Sequence, residues 1–155
     1  MPATRLPVIL AGPPLSDREA IADAVYRTTA SIDHADEELY WSAVTDDIYA
    51  EVAGTTVSSA QELKTKVWDN VIKVDTIHYL SNIRISIDTP TTARVTFTSL
   101  AQHCRHGKGF EPGPNKFTTG AIFNCDAVKV GDIWKMKSWK ANHVWGDGDP
   151  SVMVV

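Results

Sequence analysis

The sequence predicts an α+β domain in which three N-terminal helices pack into a strongly curved, mainly antiparallel sheet. Apolar residues recur at helical spacing up to Lys73, and four long stretches rich in β-branched residues follow it. Strands of that length bury one face best when bulges bend the sheet around a helix. The resulting cone-shaped α+β barrel leaves a deep cavity between sheet and helices, which is where ligands usually bind.

The composition is that of an ordinary globular domain and argues against several classes of function. With 155 residues, the chain is long enough for one domain with a real core. A net charge of −4, with scattered Lys and Arg residues, argues against nucleic-acid binding. No run approaches the roughly 18 apolar residues of a membrane span, and the Pro-interrupted N-terminus lacks a signal-peptide pattern. We therefore expect a cytoplasmic protein that binds neither nucleic acid nor membranes.

Most of the chain is predicted to form this one domain. We assign residues 16–146 to it, since the predicted helices and strands fall within this range. Residues 1–15 are rich in Pro and are expected to form an irregular N-terminal tail. Residues 147–155 are expected to form a short C-terminal tail.

Capping signals place the first two predicted helices. Ser16 and Glu19 form a capping box before a helix over 17–32. Asp36 then caps a shorter helix that runs through Val44. The first helix is amphipathic, because its apolar positions recur every three or four residues. These positions are Ile21, Ala24, Val25, Thr28 and Ile32.

A short strand and a third helix are predicted next. Asp46 and Asp47 indicate a turn before a strand over 48–52. Ser58 or Ser59 then caps the third helix, whose apolar side carries Leu, Val and Trp residues.

The second half of the chain predicts a meander of four long strands. Two short hairpins, at 88–91 and 130–132, join the first pair and the last pair. A Gly- and Pro-rich loop over 107–116 joins the two pairs. The predicted strands cover residues 77–88, 92–106, 117–129 and 133–145.

His103 continues an apolar row on the second of these strands. Because side chains of a strand alternate between two faces, His103 shares its face with apolar residues, whereas Arg94, Thr96, Thr98 and Gln102 occupy the other. The apolar row comprises Ala93, Val95, Phe97 and Ala101. A titratable group is thus aimed at the inside of the domain. A single histidine in this position is more often a packed core residue than part of an active site.

The two cysteines do not indicate a metal or redox site. Cys104 and Cys125 both fall in predicted strands and have no CxxC or Cys/His spacing typical of zinc. We expect buried free thiols. Cys104 is a poor candidate nucleophile, because its neighbour His103 points to the opposite face of the strand. We expect neither a metal nor another cofactor.

Five short motifs are spread over the predicted helices and strands. They are Asp33-x-x-Asp36, Ile77-His78-Tyr-Leu-x-Asn82, Gln102-His103-x-Arg105, Asp132-Ile-Trp134-Lys135 and Val144-Trp145-Gly146-Asp147-Gly-Asp149. Together they resemble the SnoaL-like enzymes of the nuclear transport factor 2-like, cone-fold superfamily, over about residues 16 to 153. Within it, the chain is similar to scytalone dehydratase and bile-acid 7α-dehydratase.

The resemblance implies three catalytic residues. Asp33 at the end of the first helix would orient His78 as a general base, and His103 on the neighbouring strand would act as a general acid or polarise a carbonyl. This equipment suits a cofactor-independent dehydratase or isomerase that acts on a polycyclic or polyketide-like metabolite. Members of the superfamily usually form dimers or trimers through the sheet, so we expect a homodimer or homotrimer.

Other residues are candidates for binding a hydrophobic substrate. They are Tyr49, Trp68, Phe123, Asn142 and Trp145. The aromatic ones are equally compatible with plain core positions. His143, on one face with Trp139 and Ala141, has no counterpart in the family pattern. The resemblance implies that scytalone dehydratase carries tyrosines at the positions of Ile32 and Val52, and a Ser and an Asn at the positions of Ala121 and Phe123.

The same fold also hosts aldol-type cyclases, epoxide hydrolases and non-catalytic modules that bind ligands or partners. A cyclase would use the same base to form an enolate. The epoxide hydrolases need an Asp–Arg–Asp network within the pocket, and the sequence offers no such set, since Arg84 and Arg105 are the only candidate arginines in the predicted strands. A binding module would leave Asp33 turned away from both histidines.

Overall fold

The computed structural model describes residues 5–154, so residues 1–4 of the predicted N-terminal tail and Val155 lie outside the described part. Helix α1 spans Asp17–Asp33 and α2 spans Glu37–Ala43. Helix α3 begins as Ala60–Leu63, continues as a π-helical segment over Lys64–Trp68, and ends with the α-helical turn Asp69–Val71. The predicted helices are confirmed. Within the described residues, no helix is long and apolar enough to cross a membrane.

The predicted helix caps are present. The Ser16 hydroxyl accepts a hydrogen bond from the Glu19 backbone N–H at 3.3 Å, and the Glu19 carboxylate accepts from the Ser16 N–H at 2.7 Å. The Asp36 side chain accepts from the Leu39 N–H at the start of α2. Ser59, one of the two predicted candidates, caps α3. These bonds satisfy N–H groups that have no partner within the helix.

The sheet consists of six strands, which are β1 Val44–Val52, β2 Thr55–Val57, β3 Asp75–Thr89, β4 Thr92–Cys104, β5 Lys116–Val130 and β6 Ile133–Gly148. They form one mixed sheet in the order β2-β1-β6-β5-β4-β3. Strand β1 pairs in parallel with β6, and the other pairs are antiparallel. The helices pack on the concave face of the sheet, which confirms the predicted α+β cone.

Three details differ from the sequence-based expectation. The predicted turn at Asp46 and Asp47 is wrong, because both residues lie in β1 with exposed side chains, and Lys137 of β6 forms an ion pair with Asp47. Strand β2 was not predicted. Strand β6 runs past the proposed boundary at residue 146, and a 3₁₀ helix, Pro150–Met153, follows it with Val152 fully buried.

A bulge in β3 decides which of its side chains face the helices. Ser81 pairs with Thr98 and Arg84 with Thr96, so Asn82 and Ile83 together oppose one residue of β4. Asn82 adopts a left-handed conformation with φ of 56°, which Asn tolerates better than most residues. The inward residues are Thr76, His78 and Leu80 before the bulge, and Ile83, Ile85 and Ile87 after it.

The core lies between α1 and the concave face of the sheet. Ile21, Ala24 and Val25 of α1 are fully buried against it. Phe97 and Phe123 of adjacent strands stack with ring centroids 4.7 Å apart. Burial of such aromatic and branched side chains supplies the main stabilising term of a domain of this size. The rest of the concave face is open to a cavity.

Candidate active site

A cavity of about 460 Å³ lies between the helices and the concave face of the sheet. Its walls are mainly apolar, with Ile32 of α1, Trp68 of α3, and Phe123 and Trp139 of the sheet among the lining residues. Met153 and Val154, near the C-terminus, also line it. A cavity of this size and character suits a small hydrophobic molecule.

Asp33 and His78 form a tightly bonded pair, of which His78 lines the cavity. Asp33 is the last residue of α1, and its Oδ1 lies 2.6 Å from Nδ1 of His78. Its Oδ2 accepts a second hydrogen bond, of 2.9 Å, from the backbone N–H of His78. Because an ionised carboxylate only accepts, Nδ1 of the imidazole carries a proton, and the neutral form of the ring has its free lone pair on Nε2. Among the ring nitrogens, Nε2 is therefore the one available to a ligand.

His103 lies beside this pair in a different environment. The two imidazole rings have centroids 5.9 Å apart and meet edge to face. His103 is only 6% exposed, and its Nδ1 lies 2.9 Å from the Thr76 hydroxyl oxygen. Burial, helped by the neighbouring His78 and His143 and opposed by Asp33, lowers the pKa of His103 to about 4. The ring is therefore neutral at pH 7.

Two polar residues of this region were not among the predicted site residues. His143 lines the cavity and is partly exposed, and its partial burial lowers its pKa. Its position on one strand face with Trp139 and Ala141 was the signal that could have placed it there. Thr76 lies behind His103, on the same face of β3 as His78. Its spacing of two residues from His78 was a usable signal.

The structure places two of the five candidate substrate-binding residues in the cavity. Trp68 and Phe123 line it, and the Trp68 indole N–H donates to the Ser31 hydroxyl. The other three candidates, Tyr49, Asn142 and Trp145, do not line the cavity, contrary to the prediction. All three residues are exposed.

Strand geometry explains these three positions. Tyr49 lies on the outer face of β1, where its hydroxyl donates to Glu51, and Asn142 pairs with Ile122 on the outer face of the sheet. In β6, His143 pairs with Ala121 but Trp145 pairs with Gly120, so Val144 is an extra residue. This bulge turns Trp145 outward, where its ring covers Gly120 closely enough to exclude a Cβ there.

The four positions at which the resemblance implied polar groups in scytalone dehydratase form an apolar wall of the cavity in this chain. Ile32, Val52, Ala121 and Phe123 all line it. Tyr40 is the one tyrosine in the lining formed by the described residues, and its hydroxyl donates to the Ala60 carbonyl. Burial, with a further contribution from Asp69, raises the pKa of Tyr40 well above its usual range. It is therefore poorly suited to donate a proton.

The two cysteines and Arg105 are in environments typical of residues that stabilise the fold. Cys104 and Cys125 are buried free thiols, as predicted, and burial raises the pKa of Cys125. Arg105 binds Asp149 at 3.0 Å and the Ser151 hydroxyl at 2.8 Å, so two of the five motifs meet to hold the C-terminal segment against the cavity.

Among residues 5–154, no group of three or more His, Cys, Asp or Glu side chains is arranged to hold a metal ion.

Known proteins resemble this chain at the level of both sequence and fold. A terrestric acid biosynthesis cluster protein E from Penicillium crustosum is 40% identical over 154 residues, which cover 98% of each chain. The Kfla4162 protein from Kribbella flavida superposes with a TM-score of 0.77 at 18% identity, covering 90% of this chain and 97% of that one.

Two further structures share the fold. A scytalone dehydratase-like protein from Novosphingobium aromaticivorans has a TM-score of 0.72 at 21% identity, over 85% of this chain and 87% of that one. The hexachlorocyclohexane dehydrochlorinase LinA-type3 from Novosphingobium barchaimii has a TM-score of 0.69 at 19% identity, over 86% and 90%. The model of the SnoaL-like domain matches residues 13–140. The chain belongs to the SnoaL-like family.

Proposed function

We propose that the protein is a cofactor-independent lyase or isomerase that acts on a hydrophobic, polyketide-like metabolite by proton transfer within the cavity. The observation that carries this proposal is the Asp33–His78 pair, bonded at 2.6 Å, beside the neutral ring of His103. A base and a neutral hydrogen-bond donor in an apolar cavity are what enolisation of a ketone requires.

His78 acts as the base. Its Nε2 removes a proton from the carbon next to a substrate carbonyl, and the electron pair of the C–H bond forms the C=C bond of an enolate. The Asp33 carboxylate holds the ring in place and stabilises the imidazolium that results. Two hydrogen bonds to one carboxylate, from the ring and from the backbone N–H of His78, keep this arrangement rigid.

His103 polarises the carbonyl. Of the two roles considered for this residue, a neutral buried imidazole favours hydrogen bonding to the oxygen that gains charge over transfer of a proton from an imidazolium. In a dehydratase, the enolate then expels a hydroxyl from the next carbon, and His78 returns its proton so that water leaves. In an isomerase, His78 returns the proton to a more distant carbon.

Similar proteins support the substrate class and the type of reaction. The relative from Penicillium crustosum is assigned by name to a biosynthetic cluster for an acid metabolite. The dehydrochlorinase with the same fold bears the name of an elimination reaction. The apolar walls of the cavity suit the carbon skeleton of such a metabolite.

Deuterium exchange tests this function. The protein would be incubated in D₂O with a panel of ring-bearing β-hydroxy ketones and β,γ-unsaturated ketones, and mass spectrometry would detect deuterium uptake, loss of water or a shifted double bond. We expect turnover by the parent protein and a fall of about 10²- to 10⁴-fold in His78→Asn. The matched control is His34→Asn, since His34 is exposed at the end of α1. A folded His78→Asn variant with parental rates contradicts the mechanism, and binding of the panel without exchange or conversion favours a binding module.

We also propose that the protein assembles as a homodimer or homotrimer through the outer face of the sheet. An apolar patch there surrounds a groove of about 400 Å³. Its exposed members include Tyr79, Leu100, Ile122, Val144 and Trp145. Exposed patches of this kind mark interaction surfaces. Ile122→Lys is expected to shift the sedimentation coefficient toward a monomer, whereas Tyr26→Lys, on exposed α1 surface, leaves it unchanged; a monomeric parent protein contradicts this assembly.

A further inference from the structure

The hydrogen bond between Thr76 and His103 has a direction that can be deduced from its surroundings. Thr76 pairs directly with His103 across β3 and β4, and both side chains are buried, with 8% and 6% exposure. In the part of the chain that the structure describes, the Thr76 hydroxyl has this one hydrogen bond, of 2.9 Å to Nδ1. His103 lines the cavity but Thr76 does not. A ligand would therefore meet His103 and leave Thr76 covered.

Two arrangements of this bond are conceivable. If Nδ1 of the imidazole carried the proton and donated it, the buried Thr76 O–H would be left without an acceptor. Buried donors without a partner are rarer in proteins than acceptors with a free lone pair. If Thr76 donates instead, its buried hydroxyl proton is paired, and the one remaining proton belongs to His103, which lines the cavity, where water or a ligand can accept it. The hydroxyl proton then points at Nδ1, and the single proton of the neutral His103 ring lies on Nε2.

The two histidines of the site are thereby set in opposite tautomers. Asp33 accepts from Nδ1 of His78, which leaves Nε2 of that ring as an acceptor. Thr76 donates to Nδ1 of His103, which leaves Nε2 of that ring as a donor. The difference follows from the partners, because a carboxylate can only accept whereas a hydroxyl can also donate. One imidazole is prepared to take a proton and the other to hydrogen bond an oxygen.

We propose that Thr76 is a positioning residue: its hydroxyl keeps the His103 proton on Nε2, where it hydrogen bonds the oxygen of the substrate that becomes the enolate. The catalytic part of this inference rests on the proposed function, while the tautomer does not. No bond of the substrate is made or broken by Thr76. Its effect passes through the orientation and protonation of one ring.

Nuclear magnetic resonance measures the tautomer directly. In protein labelled with ¹⁵N-histidine at pH 7, two-bond and three-bond ¹H–¹⁵N correlations distinguish a protonated from an unprotonated ring nitrogen. We expect His103 to show an unprotonated Nδ1 and a protonated Nε2 in the parent protein and in Thr76→Ser. Thr76→Val keeps the shape of the side chain but removes the donor, so a mixture of both tautomers is expected. A protonated Nδ1 in the parent protein overturns the proposal.

Kinetics on the same variants tests the consequence for the reaction. Thr76→Val is expected to lower kcat roughly tenfold or more with little change in KM, because it weakens a bond to the developing oxyanion. Thr76→Ser should restore most of the loss. Thr45→Val, at another buried threonine outside the cavity lining, is the matched control and should keep parental kcat. Unchanged kcat in Thr76→Val overturns the positioning role.

The two proposals fail in different ways. If the parent protein converts none of the ketones, the proposed function fails while the tautomer measurement still decides the arrangement of His103. If conversion occurs but the tautomer is reversed, the proposed function stands and the role of Thr76 is wrong. Thermal unfolding of each variant separates loss of folding from loss of kcat.

Discussion

His78 and His103 are the same residue type on adjacent strands, yet their surroundings prepare them for opposite tasks. His78 is bonded to a carboxylate that also accepts its backbone N–H. His103 is bonded to a hydroxyl and is more deeply buried, so its charged form is disfavoured. The two rings lie 5.9 Å apart between centroids and face one cavity. The partner behind each ring therefore decides the chemistry of that ring.

The register of the sheet produces this difference. His78 pairs with Ala101, and His103 lies two residues further along the same face of β4. The rings are therefore diagonal neighbours, close enough to serve one substrate but each with its own neighbour behind it. The small side chain of Ala101 leaves room between them for a ligand.

Asp33→Asn is expected to cause the largest loss of kcat, because it removes the carboxylate that distinguishes His78 from His103. The amide keeps the size of the side chain, but its NH₂ group donates where the carboxylate accepted, which favours the wrong tautomer of His78. We expect kcat to fall about 10³-fold or more, as tautomer loss does in other base-orienting carboxylates. The measurement is the D₂O exchange rate with the same ketone panel.

The control for this variant is Asp132→Asn, an exposed residue of the hairpin between β5 and β6. Its rate should match that of the parent protein. Exchange in Asp33→Asn within about tenfold of the parent rate would show that the carboxylate does not set the chemistry of His78.

Protonation of His103 is expected to have a smaller effect, which is a decrease in the free energy of unfolding. The folded protein holds the pKa of His103 near 4, against an ordinary value of 6.5. Between these values the unfolded chain binds a proton that the folded one does not, so acid favours unfolding. The stabilisation is complete above pH 6.5 and is lost as pH falls toward 4. A shift of this size corresponds to about 3 kcal/mol.

Urea unfolding between pH 7 and pH 4 measures this contribution. His143, whose pKa is also lowered, adds a decrease of the same sign, so the informative quantity is a difference. His103→Gln should lose less stability than the parent protein over this range, whereas His34→Gln should behave like the parent. If the free energy of unfolding depends on pH equally in His103→Gln and in the parent protein, the pKa of His103 is not lowered by folding.

Local signals in the sequence were sufficient for most of the architecture. Side-chain capping at Ser16, Asp36 and Ser59 places the start of each helix, because these bonds depend on residues only three positions apart. The short hairpin loops likewise identify neighbouring strands. The motif around Asp33, together with those around His78 and His103, pointed to residues that the structure brings together.

The positions of the bulges in β3 and β6 could not be predicted from the periodicity of apolar residues in the sequence. In β3, the odd-numbered residues Ile77, Tyr79 and Ile85 would all lie on the same face of a regular strand. If that apolar face were buried, the side chain of His78 would point outward. The bulge at Asn82 instead exposes Ile77 and Tyr79 and turns His78 inward. In β6, the extra residue Val144 turns Trp145 outward. One inserted residue reverses every following side chain.

The amino-acid sequence alone was enough to predict the class of fold, the order of the helices and long strands, and the chemical groups available to the site. These depend on contacts between residues close in the chain, for which spacing is a sufficient guide. Two contacts became visible in the folded structure: Asp33 accepts hydrogen bonds from the ring and the backbone of His78, and Thr76 lies behind His103. These contacts join residues 45 and 27 positions apart. They depend on where the strands are bulged, which is set by packing of the whole sheet on the helices.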